Sequence, residues 1–124
     1  MKKNGFTLIE LLAVIVILAI IALIATPAVL NIIEDSKKNA AERSTEAVVK
    51  AAEIKYMADL AKGESATTGE IEATTLDVDN KPEGGTVTIT ANGTDVTVTA
   101  EDLEFDAYLC DYTEADGAVC TKGE

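Results

Sequence analysis

The sequence has no histidine and no tryptophan, and only two cysteines and two prolines among its 124 residues. Without histidine it lacks the side chain most used as a general base and as a metal ligand. No Ser/His or Cys/His nucleophilic pair, no Cys/His zinc site and no glycine-rich phosphate loop is present. Neither an enzyme nor a cofactor or bound metal is expected. Positive charge is also scarce: 10 Lys and Arg stand against 22 Asp and Glu, a net charge of −12. Such an acidic body repels phosphate backbones and anionic lipid, so no direct nucleic-acid site is expected. The length suits one domain.

Charge of either sign is missing from Leu11 to Ile33, a run of 23 positions. As a helix rising about 1.5 Å per residue, the run reaches roughly 35 Å, enough to cross a bilayer. A cleaved secretory signal is the competing reading, but its apolar core is shorter and ends at a small-x-small site. No Ala-x-Ala lies between Leu11 and Asn31 and no lipoprotein cysteine is present there, so the apolar segment is expected to be retained. Lys2 and Lys3 keep its start cytoplasmic by the positive-inside rule, with the acidic body outside. Glu10 is the anomaly, flanked by Leu8, Ile9, Leu11 and Leu12. A carboxylate at membrane depth costs about 2.5–3.5 kcal/mol on insertion scales and is a functional candidate. The bland alternative is a glutamate that snorkels to the interface.

Lys2-Lys3-Asn4-Gly5-Phe6-Thr7-Leu8-Ile9-Glu10, followed by the apolar run, resembles the processing motif of the type IV pilin and pseudopilin family. The resemblance implies that a prepilin peptidase cuts between Gly5 and Phe6 and methylates the new Phe6 amine. Glu10 then takes the place of the family's assembly glutamate. The Phe6 ammonium supplies the positive partner that Glu10 lacks, and pairing with a neighbouring subunit relieves two buried charges. Losing Lys2 and Lys3 takes the net charge from −12 to −14. Pro27 also fits the family; it removes a helical hydrogen bond and clashes towards the carbonyl of Leu23, marking a helix kink.

Beyond Ile33 no proline or glycine occurs before Gly63, which is expected to stop the helix after Lys62. Ala40, Ser44, Ala47, Ala51, Ile54, Ala58 and Ala61 share one face at helical spacing, and that small-residue face is expected to meet a sheet. Val49, Tyr56 and Leu60 fall opposite, either to face neighbouring helices or as three scattered exposed apolar residues, with Tyr56 alternatively under a loop. Gly63 to Gly69 reads as a loop, Ile71 to Val78 as a weak strand and Asp79 to Gly85 as a turn region. Thr86 to Ala91 and Thr94 to Thr99 alternate strictly about Asn92-Gly93, which predicts a hairpin. A two-residue turn there pairs Ala91 with Thr94, Ile89 with Val96 and Val87 with Val98. Asn92-Gly93-Thr94 also fits a glycosylation pattern, but the hairpin turn explains it fully. Leu103, Phe105, Ala107 and Leu109 alternate as a further strand.

Cys110 and Cys120 in a small extracytoplasmic domain are expected to form a disulfide that closes a C-terminal loop. Many type IV pilins close such a loop. Free thiols or a metal site are the other readings. Asp77-Val78-Asp79-Asn80 opens like a calcium loop, but Lys81 and Pro82 stand where a ligand and a glycine are needed. A calcium site there, or at Asp111 and Asp116, competes with the plainer reading of solvated acidic turns.

The expected fold is α+β: a long N-terminal membrane-spanning helix packed on a small antiparallel sheet, as in pilins, with a C-terminal disulfide loop. The expected organisation is a leader at 1–5, a transmembrane and filament-core helix at 6–33, its outer half at 34–62, and a head of loop and sheet at 63–124. The resemblance implies a structural subunit of a type IV pilus, serving adhesion, motility or DNA uptake. Alternatives are a pseudopilin of a type II secretion-like or competence system, and a monomeric membrane-anchored binding domain. The implied partners are the prepilin peptidase and methyltransferase, identical or related pilin subunits, an inner-membrane platform protein with its assembly ATPase, and membrane lipid. The implied location is the cell membrane, with a single pass, a cytoplasmic N-terminus and an extracytoplasmic head, and a surface filament after assembly.

Overall fold

In the computed structural model, residues 5–92 and 95–123 are described. One helix, α1 (Leu8–Ala61), precedes strands β1 (Gly69–Glu72), β2 (Thr86–Asn92), β3 (Asp95–Phe105), β4 (Tyr108–Thr113) and β5 (Gly117–Lys122). A short 3-10 turn, Ala73–Thr75, follows β1. The strands form one sheet in the order β1-β2-β3-β4-β5, every pair antiparallel. The chain divides into two units, one ending at Ser36 and the other running from Lys37 onward. Among its described residues, the first holds the start of α1 and the irregular residues 5–7 before it. The second holds the outer part of α1 and the sheet, with one core between them.

α1 ends where Gly63 predicts. Gly63 has φ +76°, its N–H donates to the Leu60 carbonyl, and the Glu64 N–H donates to the Asp59 carbonyl. This crossed pair satisfies the last free carbonyls and needs a residue that tolerates left-handed backbone.

The helix face against the sheet is not the one the small residues mark. Ala41, Thr45, Val48, Val49, Ala52 and Tyr56 are buried, whereas Ala40, Ala47, Ile54, Ala58 and Ala61 are exposed. Val49 and Tyr56, expected to point outward, belong to the core. The reason is energetic: burying Val48, Val49 and Tyr56 removes far more apolar surface from water than burying alanines does. Thr45 is fully buried and its hydroxyl donates to the Ala41 carbonyl at 2.9 Å, so no polar group there is left unpaired.

The β2–β3 hairpin forms with a shifted register. Asn92 pairs with Asp95, Ala91 with Val96, Ile89 with Val98 and Val87 with Ala100. The expected pairs Ala91–Thr94, Ile89–Val96 and Val87–Val98 are therefore displaced by two residues; Gly93 and Thr94 lie outside the described residues. A two-residue slip keeps side-chain parity, so Val87, Ile89, Val98 and Ala100 still face the core.

The strand expected over Ile71 to Val78 is only β1. Buried Ala73 and Leu76 are three apart, a spacing that suits the 3-10 turn rather than a strand. The strand expected through Leu103, Phe105, Ala107 and Leu109 is two strands. Phe105 pairs with Tyr108 across Asp106-Ala107, with Asp106 at φ 55°, and the buried set continues as Tyr108 and Cys110. β5 completes the sheet beyond a tight turn, Glu114 to Asp116, where the Asp116 N–H donates to the Thr113 hydroxyl at 3.2 Å.

Candidate functional site

The N-terminal approach to α1 is built around Thr7. The backbone N–H of Thr7 donates to the Glu10 carboxylate at 3.1 Å, and the Glu10 N–H donates to the Thr7 hydroxyl at 3.2 Å. The Leu11 N–H closes the first turn on the Thr7 carbonyl at 3.2 Å. Thr7 is the N-cap and Glu10 the third helical residue of a reciprocal capping box. Thr-x-x-Glu before an apolar run is the sequence signal for it, and reading Glu10 only as an intramembrane charge passes over it. The carboxylate also faces the positive end of the helix dipole.

Gly5 and Phe6 precede the cap in exposed, irregular backbone, and Phe6 is 90% exposed. A Cβ on Gly5 would meet no described atom within 4 Å. The chain's own packing therefore gives no reason for a glycine there; such a reason has to come from whatever binds this backbone. Lys2, Lys3 and Asn4 lie outside the described residues.

From Leu8 to Ile33 every large aliphatic side chain is exposed, and α1 contains a stretch long and apolar enough to cross a membrane. Exposure on this scale fits a lipid or protein surround, since soluble surfaces rarely carry contiguous apolar patches so large. Pro27 lies inside α1, which runs through it. With no N–H at 27, the Leu23 carbonyl loses its ladder donor. One residue earlier, the Thr26 hydroxyl donates to the Ala22 carbonyl. Both departures from the regular ladder fall in the same turn.

Cys110 and Cys120 form a disulfide between directly paired residues of β4 and β5. The bridge does not close an irregular loop; it staples the last hairpin, with both cysteines buried. The acidic candidates are dispersed. Asp111 accepts the Asp102 N–H at 2.9 Å, while Asp116 turns back to Thr113. Asp77 and Asp79 lie on the segment after the 3-10 turn. Among the described residues no group of three metal-ligating side chains comes together.

Residues 1–26 match a family model described as the prokaryotic N-terminal methylation motif. This chain carries the prepilin signature of type IV pilins and pseudopilins. No curated protein and no solved structure matches it. The prepilin motif implies processing by a prepilin peptidase and assembly with other pilin subunits. With the apolar helix, it fits a membrane-anchored protein, and the pilin and pseudopilin family is a structural one.

Proposed function

We propose that the mature chain is the repeating subunit of a type IV pilus, released from its 1–5 leader by cleavage between Gly5 and Phe6 and methylated on Phe6. The observation that carries this reading is the order of features along the first helix. A matched processing motif comes first, then a carboxylate at Glu10, then an uninterrupted exposed apolar helix that the cut leaves attached. A secretory leader would lose that helix; a plain anchor has no use for the carboxylate. In the membrane the helix holds the subunit with its acidic head outside. In the filament the helices pack into a core, with the Phe6 ammonium of one subunit against Glu10 of another. A platform protein and an ATPase in the inner membrane drive the transfer. The small head supports an abundant subunit serving adhesion, motility or DNA uptake.

The test is mass spectrometry of the native protein together with shearing of cells. The expected chain starts at Phe6 with one added methyl group and is recovered in sheared filaments. An intact Met1 start in cells with an active prepilin peptidase would overturn the proposal. Gly5→Val is expected to block the cut while leaving the head folded, because no described atom crowds that position.

A further inference from the structure

From Leu11 to Ile33 the side chains are apolar except at Thr26 and Asn31, and Asn31 carries the only side-chain amide. It is exposed, and among the described residues its amide has no hydrogen-bond partner. In the membrane this costs little, because Asn31 lies three positions before Glu34 and its amide reaches interfacial water. In a core of packed helices that water is gone, and an amide left without a partner is costly.

An acceptor short of a donor lies on the same helix. Pro27 has no N–H, so the Leu23 carbonyl lacks its ladder partner. The nearest hydroxyl, on Thr26, already donates to the Ala22 carbonyl. Lipid offers such a carbonyl nothing, whereas the polar side chains of neighbouring helices can satisfy it. Asn31 cannot serve the Leu23 carbonyl of its own chain, since the two stand eight positions apart, about 12 Å along the axis.

Two copies can make the bond at the stagger already required by the charge pair. Setting Phe6 of an upper copy level with Glu10 of a lower one displaces the copies by four positions, about 6 Å. The same displacement sets Asn31 of the lower copy level with Pro27 of the upper. A helical side chain leans towards its N-terminus, and the Leu23 carbonyl points along the helix towards residue 27. The amide therefore arrives where the missing N–H of Pro27 would stand. Glu10 and Asn31 are 21 positions apart, within about 60° around a regular helix, so one face of the lower copy presents both.

We infer that the Asn31 amide of one copy donates to the Leu23 carbonyl that Pro27 leaves open on the next copy. Donor and acceptor sit at different places on the helix, so the contact is heterologous and propagates along a filament. The inference rests on the filament reading above and adds to it a second polar contact that sets the same stagger as Phe6 and Glu10.

The experiment replaces Asn31 in cells and follows the ratio of sheared filament to membrane-held mature subunit. Mass spectrometry of the membrane pool reports that each variant is cut before Phe6. Asn31→Leu and Asn31→Asp both remove the donor while changing polarity in opposite directions. Each is expected to lower the ratio by about fivefold or more. Asn31→Gln keeps the donor and is expected to stay within about twofold of the parent. In a Pro27→Ala background that still assembles, the Leu23 carbonyl regains its own ladder donor, so adding Asn31→Leu is expected to cost less than about twofold more. The contact is overturned, and the filament reading left intact, by Asn31→Leu at the parental ratio, by Asn31→Gln as poor as Asn31→Leu, or by the full cost of Asn31→Leu repeated in the Pro27→Ala background. Leu and Asp variants moving in opposite directions would show that membrane polarity alone governs the ratio, which also overturns the contact. A parent that yields no filament overturns the filament reading and the contact together.

Discussion

The Glu10 carboxylate accepts the backbone N–H of Thr7 at 3.1 Å, and the Thr7 hydroxyl accepts the Glu10 N–H at 3.2 Å. This side chain therefore has two jobs available to it: capping its own helix and pairing with a positive group on another subunit. Glu10→Gln separates them, because glutamine still completes a capping box but carries no charge. If the charge docks the subunit, Glu10→Gln and Glu10→Val both insert and are cleaved, yet filament yield falls by about tenfold or more in each. If capping is what matters, only Glu10→Val fails. Fractionation of cells into membrane pool and sheared filament distinguishes the two. Co-expression with the parent adds a control: a Glu10 variant still offers its Phe6 amine, so some enters mixed filaments.

How far the sequence reveals the fold depends on which physical signal each residue carries. The apolar run, the stop at Gly63 and the cysteine pair rest on strong local chemistry, and the structure has a continuous helix, a left-handed glycine and a disulfide at those places. The buried helix face is not legible from the stripe of small residues, because the sheet covers Val48, Val49 and Tyr56, whose burial removes more apolar surface. The hairpin register is not legible from alternation, because a two-residue slip leaves alternation unchanged. β5 has little alternation of its own, since Gly117 and Ala118 are only half-buried and Cys120 alone is fully inside. At the candidate site, Glu10 stood out as a charge among aliphatics, but Thr7 did not, because a threonine beside a membrane segment looks unremarkable until its spacing to Glu10 is counted.

The disulfide makes a second prediction. Cys110 and Cys120 are ten residues apart, and closing a loop of that size constrains the unfolded chain by about 2–3 kcal/mol in the chain-entropy model. The double variant Cys110→Ala with Cys120→Ala avoids placing hydroxyls in buried positions. Its Tm in detergent is expected to fall by roughly 10 °C or more against the oxidised parent. An unchanged Tm would mean that strand pairing alone holds β5. A non-reducing peptide map of the native protein checks that the bridge forms in cells.

A third prediction concerns Gly85, which has φ +109° and sits against a bulge in β3. A Cβ there would come 2.6 Å from the Asp102 carbonyl oxygen and 2.7 Å from the Leu103 Cα. These are backbone atoms of a strand paired on both sides, so they cannot yield as a side chain does. Gly85→Ala is expected to destabilise the head by about 3 kcal/mol, from strained φ and overpacking together. Gly84→Ala is the control: its nearest neighbour is a Glu104 side-chain oxygen at 3.2 Å, which can rotate away. Thermal melts of the two variants should therefore differ widely, and similar melts would show that the bulge can relax.

The fourth prediction is a pH dependence at the end of α1. The Asp59 carboxylate accepts the Thr67 hydroxyl at 2.8 Å and the Thr67 N–H at 3.3 Å, tying the loop after the helix back onto its last turn. The Thr67 hydroxyl is the main cause holding Asp59 below the ordinary aspartate range, which its partial desolvation opposes; the Thr67 N–H, Lys55 and Lys62 add to the lowering. A carboxyl whose pKa is lower folded than unfolded binds protons more readily when unfolded. Its stabilising effect is therefore complete above the unfolded value, about 3.9, and is lost as pH falls through that value and then through the folded one. Thr67→Val removes the hydroxyl bond, so its Tm is expected to lie below the parent's at pH 7. The gap should stay level down to about pH 5 and close on further acidification, because protonated Asp59 no longer gains from accepting the bond. Lys55 Nζ lies 3.7 Å from the same carboxylate. Melts of both chains from pH 7 down to about pH 2 test this, with Asp59→Asn as a third trace. A Tm gap that persists unchanged at the acid end would mean that Thr67 acts through packing alone, and the link between loop and helix would then owe nothing to the charge on Asp59.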